Sequence, residues 1–155
     1  MTLLVRRSGE ELAFTVTRAE IQTPSIEYRL LDSESGSEPG SEQSGEKVGY
    51  IRQTIFSERS PHEMDAAVAA LVDQGAQRFV WDLRGNPGGL LSAAVAEADM
   101  WLDDGVIVTE ERAGGLRKTF EATPGELVAG APLVLLVDGG SASASEIVAG
   151  ALQAN

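Results

Sequence analysis

Three serines at alternate positions, Ser141, Ser143 and Ser145, follow the pair Gly139-Gly140 and stand at the start of a segment, Ala144 to Ala154, whose apolar spacing predicts a helix. A short apolar strand, Leu133 to Val137, runs into this turn through Asp138. A serine held where a strand turns into a helix presents its hydroxyl rigidly. The glycine turn and the helix start aim backbone N–H groups at any anion that forms beside it. That combination suits acyl transfer through a serine nucleophile. The same residues also read as a helix cap, because Ser143 and Glu146 have the spacing of a capping box, with serine at N-cap and glutamate at N3.

A second strand, Phe79 to Leu83, feeds a second glycine turn, Arg84-Gly85-Asn86-Pro87-Gly88-Gly89-Leu90-Leu91. Pro87 restricts the backbone before the turn, and Gly88 and Gly89 let it come close to a bound group. Helical apolar spacing resumes over Leu91 to Leu102. Taken alone, the two glycines are equally consistent with tight packing.

Together with Gly49-Tyr50-Ile51-Arg52 and Gly105-Val106-Ile107-Val108, the blocks Asp82-Leu83-Arg84 through Asn86-Pro87-Gly88-Gly89 and Ser141-Ala142-Ser143-Ala144-Ser145-Glu146-Ile147 resemble, in order and interval, the carboxyl-terminal processing peptidases. These tail-specific proteases are serine peptidases with a serine–lysine dyad. The resemblance runs from about Leu3 to Asn155 and implies Ser143 as the nucleophile, with an oxyanion hole made by the N–H groups of Gly89 and Ala144. It implies an α/β fold with a partial ClpP/crotonase-like spiral core over residues 19–155, carrying a flexible acidic loop at 32–46. Residues 1–18 would be the closing hairpin of a PDZ-like domain. The family's general-base lysine lies about two dozen residues past its nucleophile. Only 12 residues follow Ser143 here, so the base is missing from this chain. The resemblance therefore implies part of a serine endopeptidase that cleaves proteins near their carboxyl termini, inactive as this stretch alone. Its substrates would be protein or peptide carboxyl termini, it would need no metal or organic cofactor, and it would act in the periplasm or cell envelope. One departure is Ala154, where many members carry a supporting aspartate. The rival reading is a non-catalytic peptide- or ligand-binding module on the same fold.

The remaining titratable residues offer no substitute base. The single histidine, His62, sits in the first turn of a helix announced by Ser60-Pro61-His62-Glu63, with serine as cap, proline at N1 and glutamate at N3. Lys47 and Lys118, the two lysines, read as solvated surface groups. Asp82 and Arg84 read as a structural pair beside their turn. The acidic run Glu97, Asp99, Asp103 and Asp104 reads as a solvated helix end rather than a metal site. Trp81 and Trp101 read as core.

These residues need a scaffold, and 155 residues suffice for about one domain with a continuous core. A net charge of −12 leaves little positive surface for phosphates, which argues against nucleic-acid partners. Absence of cysteine removes disulfide and thiolate chemistry, and no apolar run has the length of a membrane span. The first residues lack a signal-peptide pattern and read as a strand. Thr2 to Arg7 and Leu12 to Arg18 predict a hairpin joined by Ser8-Gly9-Glu10-Glu11. Ser25 to Leu31 and Val48 to Thr54 predict a strand pair, and the Ser-, Gly- and Glu-rich stretch Asp32 to Glu46 between them predicts a mobile loop. The helix from Ser60 should run to about Gln74 and stop at Gly75. Strand Val106 to Glu111 and its hairpin partner Leu116 to Ala122 precede the last strand. Strands alternating with helices imply a layered α/β domain.

Overall fold

The chain forms a mixed α/β structure, described by a computed structural model for residues 1–17, 23–32, 47–125, 127–128 and 130–155. Nearly all of the expected acidic loop, and most of the segment expected to enter the core, lie outside the described residues. Along the chain run β1 (Thr2–Arg7), β2 (Glu10–Thr15), β3 (Ile26–Asp32), β4 (Lys47–Gln53), α1 (Ser60–Asp73), β5 (Arg78–Asp82), α2 (Leu91–Asp99), β6 (Val106–Glu111), β7 (Arg117–Glu121), β8 (Leu133–Leu136) and α3 (Ala144–Ala154).

β1 and β2 form an antiparallel hairpin closed by Ser8 and Gly9, with φ of 54° and 87°, the backbone of a two-residue primed turn. Glu10 and Glu11 already pair with Arg7 and Arg6, so the connection is shorter than the sequence suggests. β6 and β7 make a second hairpin.

The central sheet has the order β3-β4-β5-β8. β3 is antiparallel to β4, whereas β4, β5 and β8 are parallel. Parallel neighbours need crossovers. α1 provides the first, and α2 with the β6–β7 hairpin provides the second. The register sets Arg52 beside Asp82 and Asp82 beside Leu136. Three carboxyl ends therefore lie side by side, and the segments leaving them are delivered to one rim, where open α/β sheets bind ligands.

Ile51, Phe56, Met64, Leu71, Phe79, Trp81, Leu83 and Val148 are buried between sheet and helices. Trp81 is in the core as expected. Trp101 is half-buried and stacks on it with ring centroids 6.2 Å apart.

The start of α1 departs from the expected capping box. Arg59 occupies the N-cap place with no side-chain cap, and Ser60 lies buried inside the first turn. Glu63 turns away from the helix end and accepts two bonds from Ser25, N–H at 2.8 Å and Oγ–H at 2.6 Å. Tertiary neighbours recruit both polar groups, because the residue preceding β3 and helix α2 pack against this turn. The other end behaves as expected: Gly75 takes φ 93°, and the N–H of Ala76 reaches back to the Leu71 carbonyl at 2.9 Å. α2 ends at Asp99, short of Leu102, as the N–H groups of Trp101 and Leu102 bond three residues back in a tighter turn.

Candidate active site

β8 leaves the sheet after Leu136, turns at Asp138-Gly139-Gly140 and enters α3 through Ser143. Ser143 is exposed and has φ 54° and ψ −111°. Apart from Ser8, it is the one non-glycine residue with positive φ among the described residues. An L-residue held there costs on the order of 1–3 kcal/mol, which the surrounding structure must offset. A sharp strand-to-helix turn of this kind lifts a serine hydroxyl clear of the sheet. Ser143 and Glu146 also form the capping box, with the Ser143 N–H donating to Glu146 Oε2 at 2.7 Å. The two readings of this serine are thus compatible, since the cap fixes its backbone at the start of α3.

The turn after β5 meets this one. A Cβ added at Gly88 would stand 2.7 Å from the Ala142 carbonyl oxygen, 2.8 Å from Ser143 Cβ and 2.9 Å from Ala144 N. Only glycine allows that approach, and its φ of 102° requires glycine as well. Gly89, with φ 147°, lies against the Phe56 carbonyl, which a side chain there would strike. The Phe56 N–H donates to the Gly88 carbonyl at 2.9 Å, and its own carbonyl accepts the Leu90 N–H at 2.9 Å. Among the described residues, the N–H groups of Gly89 and Ala144 have no acceptor. The segments carrying Ser143, Ala144 and Gly88-Gly89 are thus together, although 54 residues separate Gly89 from Ser143.

Four polar residues staple the turns. Asn86 is fully buried: Nδ2 donates to the Gln53 carbonyl at 3.1 Å, and Oδ1 accepts the Gly88 N–H at 2.9 Å. Its carbonyl accepts the Ala142 N–H at 3.1 Å and the Ser145 hydroxyl at 3.0 Å. Ser141 Oγ donates to the Leu83 carbonyl at 2.8 Å. Asp138 Oδ1 accepts the N–H groups of Gly85 at 2.9 Å and Gly140 at 2.8 Å, and these bonds hold its carboxyl below the usual range. Ser141 and Ser145 look in the sequence like local hydrogen-bond formers. Ser141 does accept the Asp138 N–H locally at 3.0 Å, but both hydroxyls also reach across 58 and 59 residues to the other turn. Asn86 was hidden among glycines and a proline, and its only sequence signal is a short polar side chain at the one position where both turns can be reached.

Beside this junction, Asp82 and Arg84 pair as expected. Arg84 Nε donates to Asp82 Oδ1 at 2.9 Å, and its terminal amino group donates to Oδ2 at 2.6 Å. The Tyr50 hydroxyl donates to the same Oδ2 at 2.6 Å. The guanidinium holds the Asp82 carboxyl far below the usual range, and hydrogen bonding to that carboxylate raises the Tyr50 hydroxyl. The candidate bases stand elsewhere. His62 is exposed on α1, Lys47 Nζ donates to the Gln74 carbonyl at 3.0 Å, and Lys118 lies 4.4 Å from the centre of the Phe120 ring. Of the acidic run, Glu97 is buried rather than solvated, and Asp99 accepts the Thr123 hydroxyl at 2.8 Å.

The arrangement combines an exposed serine hydroxyl, the amino end of an 11-residue helix and two backbone donors without acceptors. Such a site can stabilise negative charge on an oxygen placed between the turns.

The chain is similar to known proteins in sequence and in fold. The profile of peptidase family S41 matches residues 47–155. The carboxyl-terminal-processing protease of Synechocystis sp. is 40% identical over the whole of this chain and 34% of its own length. Carboxyl-terminal-processing peptidase 2, chloroplastic, of Arabidopsis thaliana is 35% identical over 99% of this chain and 29% of its own. Among solved structures, a photosystem II D1 C-terminal processing protease superposes with a TM-score of 0.72 at 30% identity, over 93% of this chain and 37% of that one. The chain thus spans about a third of the length of these relatives. The matched residues include both glycine turns and the serine between β8 and α3, and the chain belongs to peptidase family S41.

Proposed function

We propose that this chain is the serine-bearing part of an endopeptidase that cleaves proteins near their carboxyl termini. The observation that carries the reading is the contact between the Gly88-Gly89 turn and the strained Ser143-Ala144 junction. In this reading, Ser143 Oγ attacks the scissile carbonyl carbon while a base takes its proton. The carbonyl oxygen becomes an oxyanion that receives the N–H groups of Gly89 and Ala144. Collapse of the tetrahedral intermediate expels the amine, which takes the proton, and water then hydrolyses the acyl-enzyme. A lysine from outside residues 1–155 serves as base, neutral because burial lowers its pKa.

In the same reading, residues 1–18 close a PDZ-like domain and residues 19–155 begin a ClpP/crotonase-like spiral core. Support comes from the exposed Leu4 and Phe14 on a hairpin that two strands alone do not stabilise, and from the parallel β4-β5-β8 order. No described helix is long and apolar enough to cross a membrane. The relatives' names speak of carboxyl-terminal processing and, for the Arabidopsis thaliana relative, of the chloroplast; protein tails as substrates and a periplasmic or cell-envelope setting are part of this proposal.

The test uses a longer product of the gene that continues past Asn155, assayed on a protein with an unstructured carboxyl-terminal tail. Tail cleavage that falls at least about a thousandfold in Ser143→Ala is the expected result. Undiminished cleavage in that variant removes Ser143 from the chemistry. A longer protein that binds such tails without cutting them favours the binding-module reading.

A further inference from the structure

Glu97 is a carboxylate that the two turns leave unused. It lies within α2, fully buried at 0% exposure. One oxygen, Oε1, meets Ser60 Oγ. The other, Oε2, has no partner among the described residues, and neither has Trp101 Nε1 one helical turn further on. Ser60 Oγ also lies 2.9 Å from the Ser57 carbonyl oxygen and 3.0 Å from the Ser57 nitrogen.

A hydroxyl has one hydrogen to give. Here two oxygens claim it, the Ser57 carbonyl and Glu97. If the Glu97 carboxyl is neutral, the count closes: Glu97 O–H donates to Ser60 Oγ, Ser60 O–H donates to the Ser57 carbonyl, and the Ser57 N–H donates to Ser60 Oγ. If it is ionised, one of the two oxygen–oxygen contacts has no proton in it. The charge would also be buried away from water with only Ser60 and the Gln53 amide to support it, which is costly.

The surroundings agree. Burial pushes the Glu97 carboxyl up to about 7, against hydrogen bonding from Ser60 and Gln53 and with the help of the Glu63 charge. The titratable groups on elements packed against α2 are His62, Glu63, Asp65 and Asp73 on α1, Glu146 on α3, and Glu110 and Glu111 on β6. Of these, Glu63 is the one whose charge acts on Glu97, and Gln53 of β4 faces it uncharged.

Ser57 directly follows Phe56, whose N–H and carbonyl hold the Gly88-Gly89 turn at 2.9 Å on either side. We infer that Glu97 is a proton-dependent positioning residue. Its neutral carboxyl fixes Ser60 and Ser57, and through Phe56 it fixes the Gly89 N–H; its ionisation loosens that turn. The catalytic consequence rests on the proposed role of Gly89 as oxyanion donor, whereas the coupling of Glu97 to Gly89 does not.

The test is nuclear magnetic resonance of the 155-residue chain, following the Glu97 carboxyl carbon and the Ser57 and Gly89 amides from about pH 5 to 9. The three signals should move together with a midpoint near 7. In Glu97→Gln, whose amide donates to Ser60 Oγ as the neutral acid does, the Ser57 and Gly89 amides should stay flat over that range. In Ser60→Ala the link is cut, so Glu97 should still titrate while Gly89 no longer follows. A Glu97 midpoint near the ordinary 4.5 overturns the inference. So does a Gly89 signal that stays still while Glu97 titrates, or one that still titrates in Glu97→Gln. None of these signals requires peptide cleavage, so a failure here leaves the proposed peptidase role standing. An inactive longer protein would likewise leave the titration unchanged.

Discussion

Gly88→Ala should be far more damaging than an alanine at an ordinary glycine, by an amount the geometry supplies. The new methyl group would meet Ala142 O, Ser143 Cβ and Ala144 N at 2.7 to 2.9 Å, and two of those atoms belong to backbone that cannot swing away. Overpacking of this kind costs about 1–3 kcal/mol. The φ of 102° adds strain of about 1–3 kcal/mol for a residue with a Cβ. The sum is about 2–6 kcal/mol, which for a chain of this length lowers Tm by about 4–24 °C. Gly85→Ala is the control: its φ is 72°, nothing lies within 4 Å of the added atom, and only the backbone term of about 1 kcal/mol applies. Urea unfolding of both variants, with amide spectra of the folded proteins, separates the two terms. The Ser143 and Ala144 resonances should shift in Gly88→Ala and stay in place in Gly85→Ala. Equal stability losses would refute the reasoning, because the contact between the two turns would then have no energetic content.

Two further perturbations probe the support of the site. Asn86→Ala strips the partners from the Gly88 N–H and the Gln53 carbonyl and should cost about 2–5 kcal/mol in urea unfolding, whereas Ser145→Ala, which leaves the Asn86 carbonyl its Ala142 bond, should cost about 1 kcal/mol. Glu97 should make stability depend on pH: its folded value of about 7 stands above the ordinary 4.5, so the folded state holds the proton longer, its contribution is full below 4.5, and about 3 kcal/mol is lost progressively as pH rises from 4.5 through 7. Thermal melts of Glu97→Gln should lack that decline.

The alternation of strands and helices, and the two glycine turns, are legible in the chain because both follow from local chemistry. Period, proline and glycine act within a few residues of where they stand. The parallel register follows less directly, yet once β5 and β8 are neighbours with their carboxyl ends together, the turns after Asp82 and Leu136 have nowhere else to go. What stayed hidden depends on partners distant in sequence. Ser60 reads as a cap until α2 brings Glu97 over it, and Glu63 reads as the other half of a capping box until Ser25 arrives beside it. Ser145 reads as a helix-start serine until the Asn86 carbonyl is 3.0 Å away. Glu97 itself belongs to an acidic run in which Asp103 and Asp104 are exposed and Asp99 is half-buried against Thr123, and no local rule distinguishes the one fully buried member.

The central claim is that Ser143 is an acylating nucleophile whose base lies outside residues 1–155, and labelling by a fluorophosphonate tests it directly. The probe reacts with a serine only when a base activates the hydroxyl. Peptide mapping by mass spectrometry should find the adduct on Ser143 in a longer protein that supplies the proposed lysine, and no comparable labelling in the 155-residue chain. An active longer protein labelled on another residue, or a 155-residue chain labelled at Ser143 as readily as the longer one, would contradict the account.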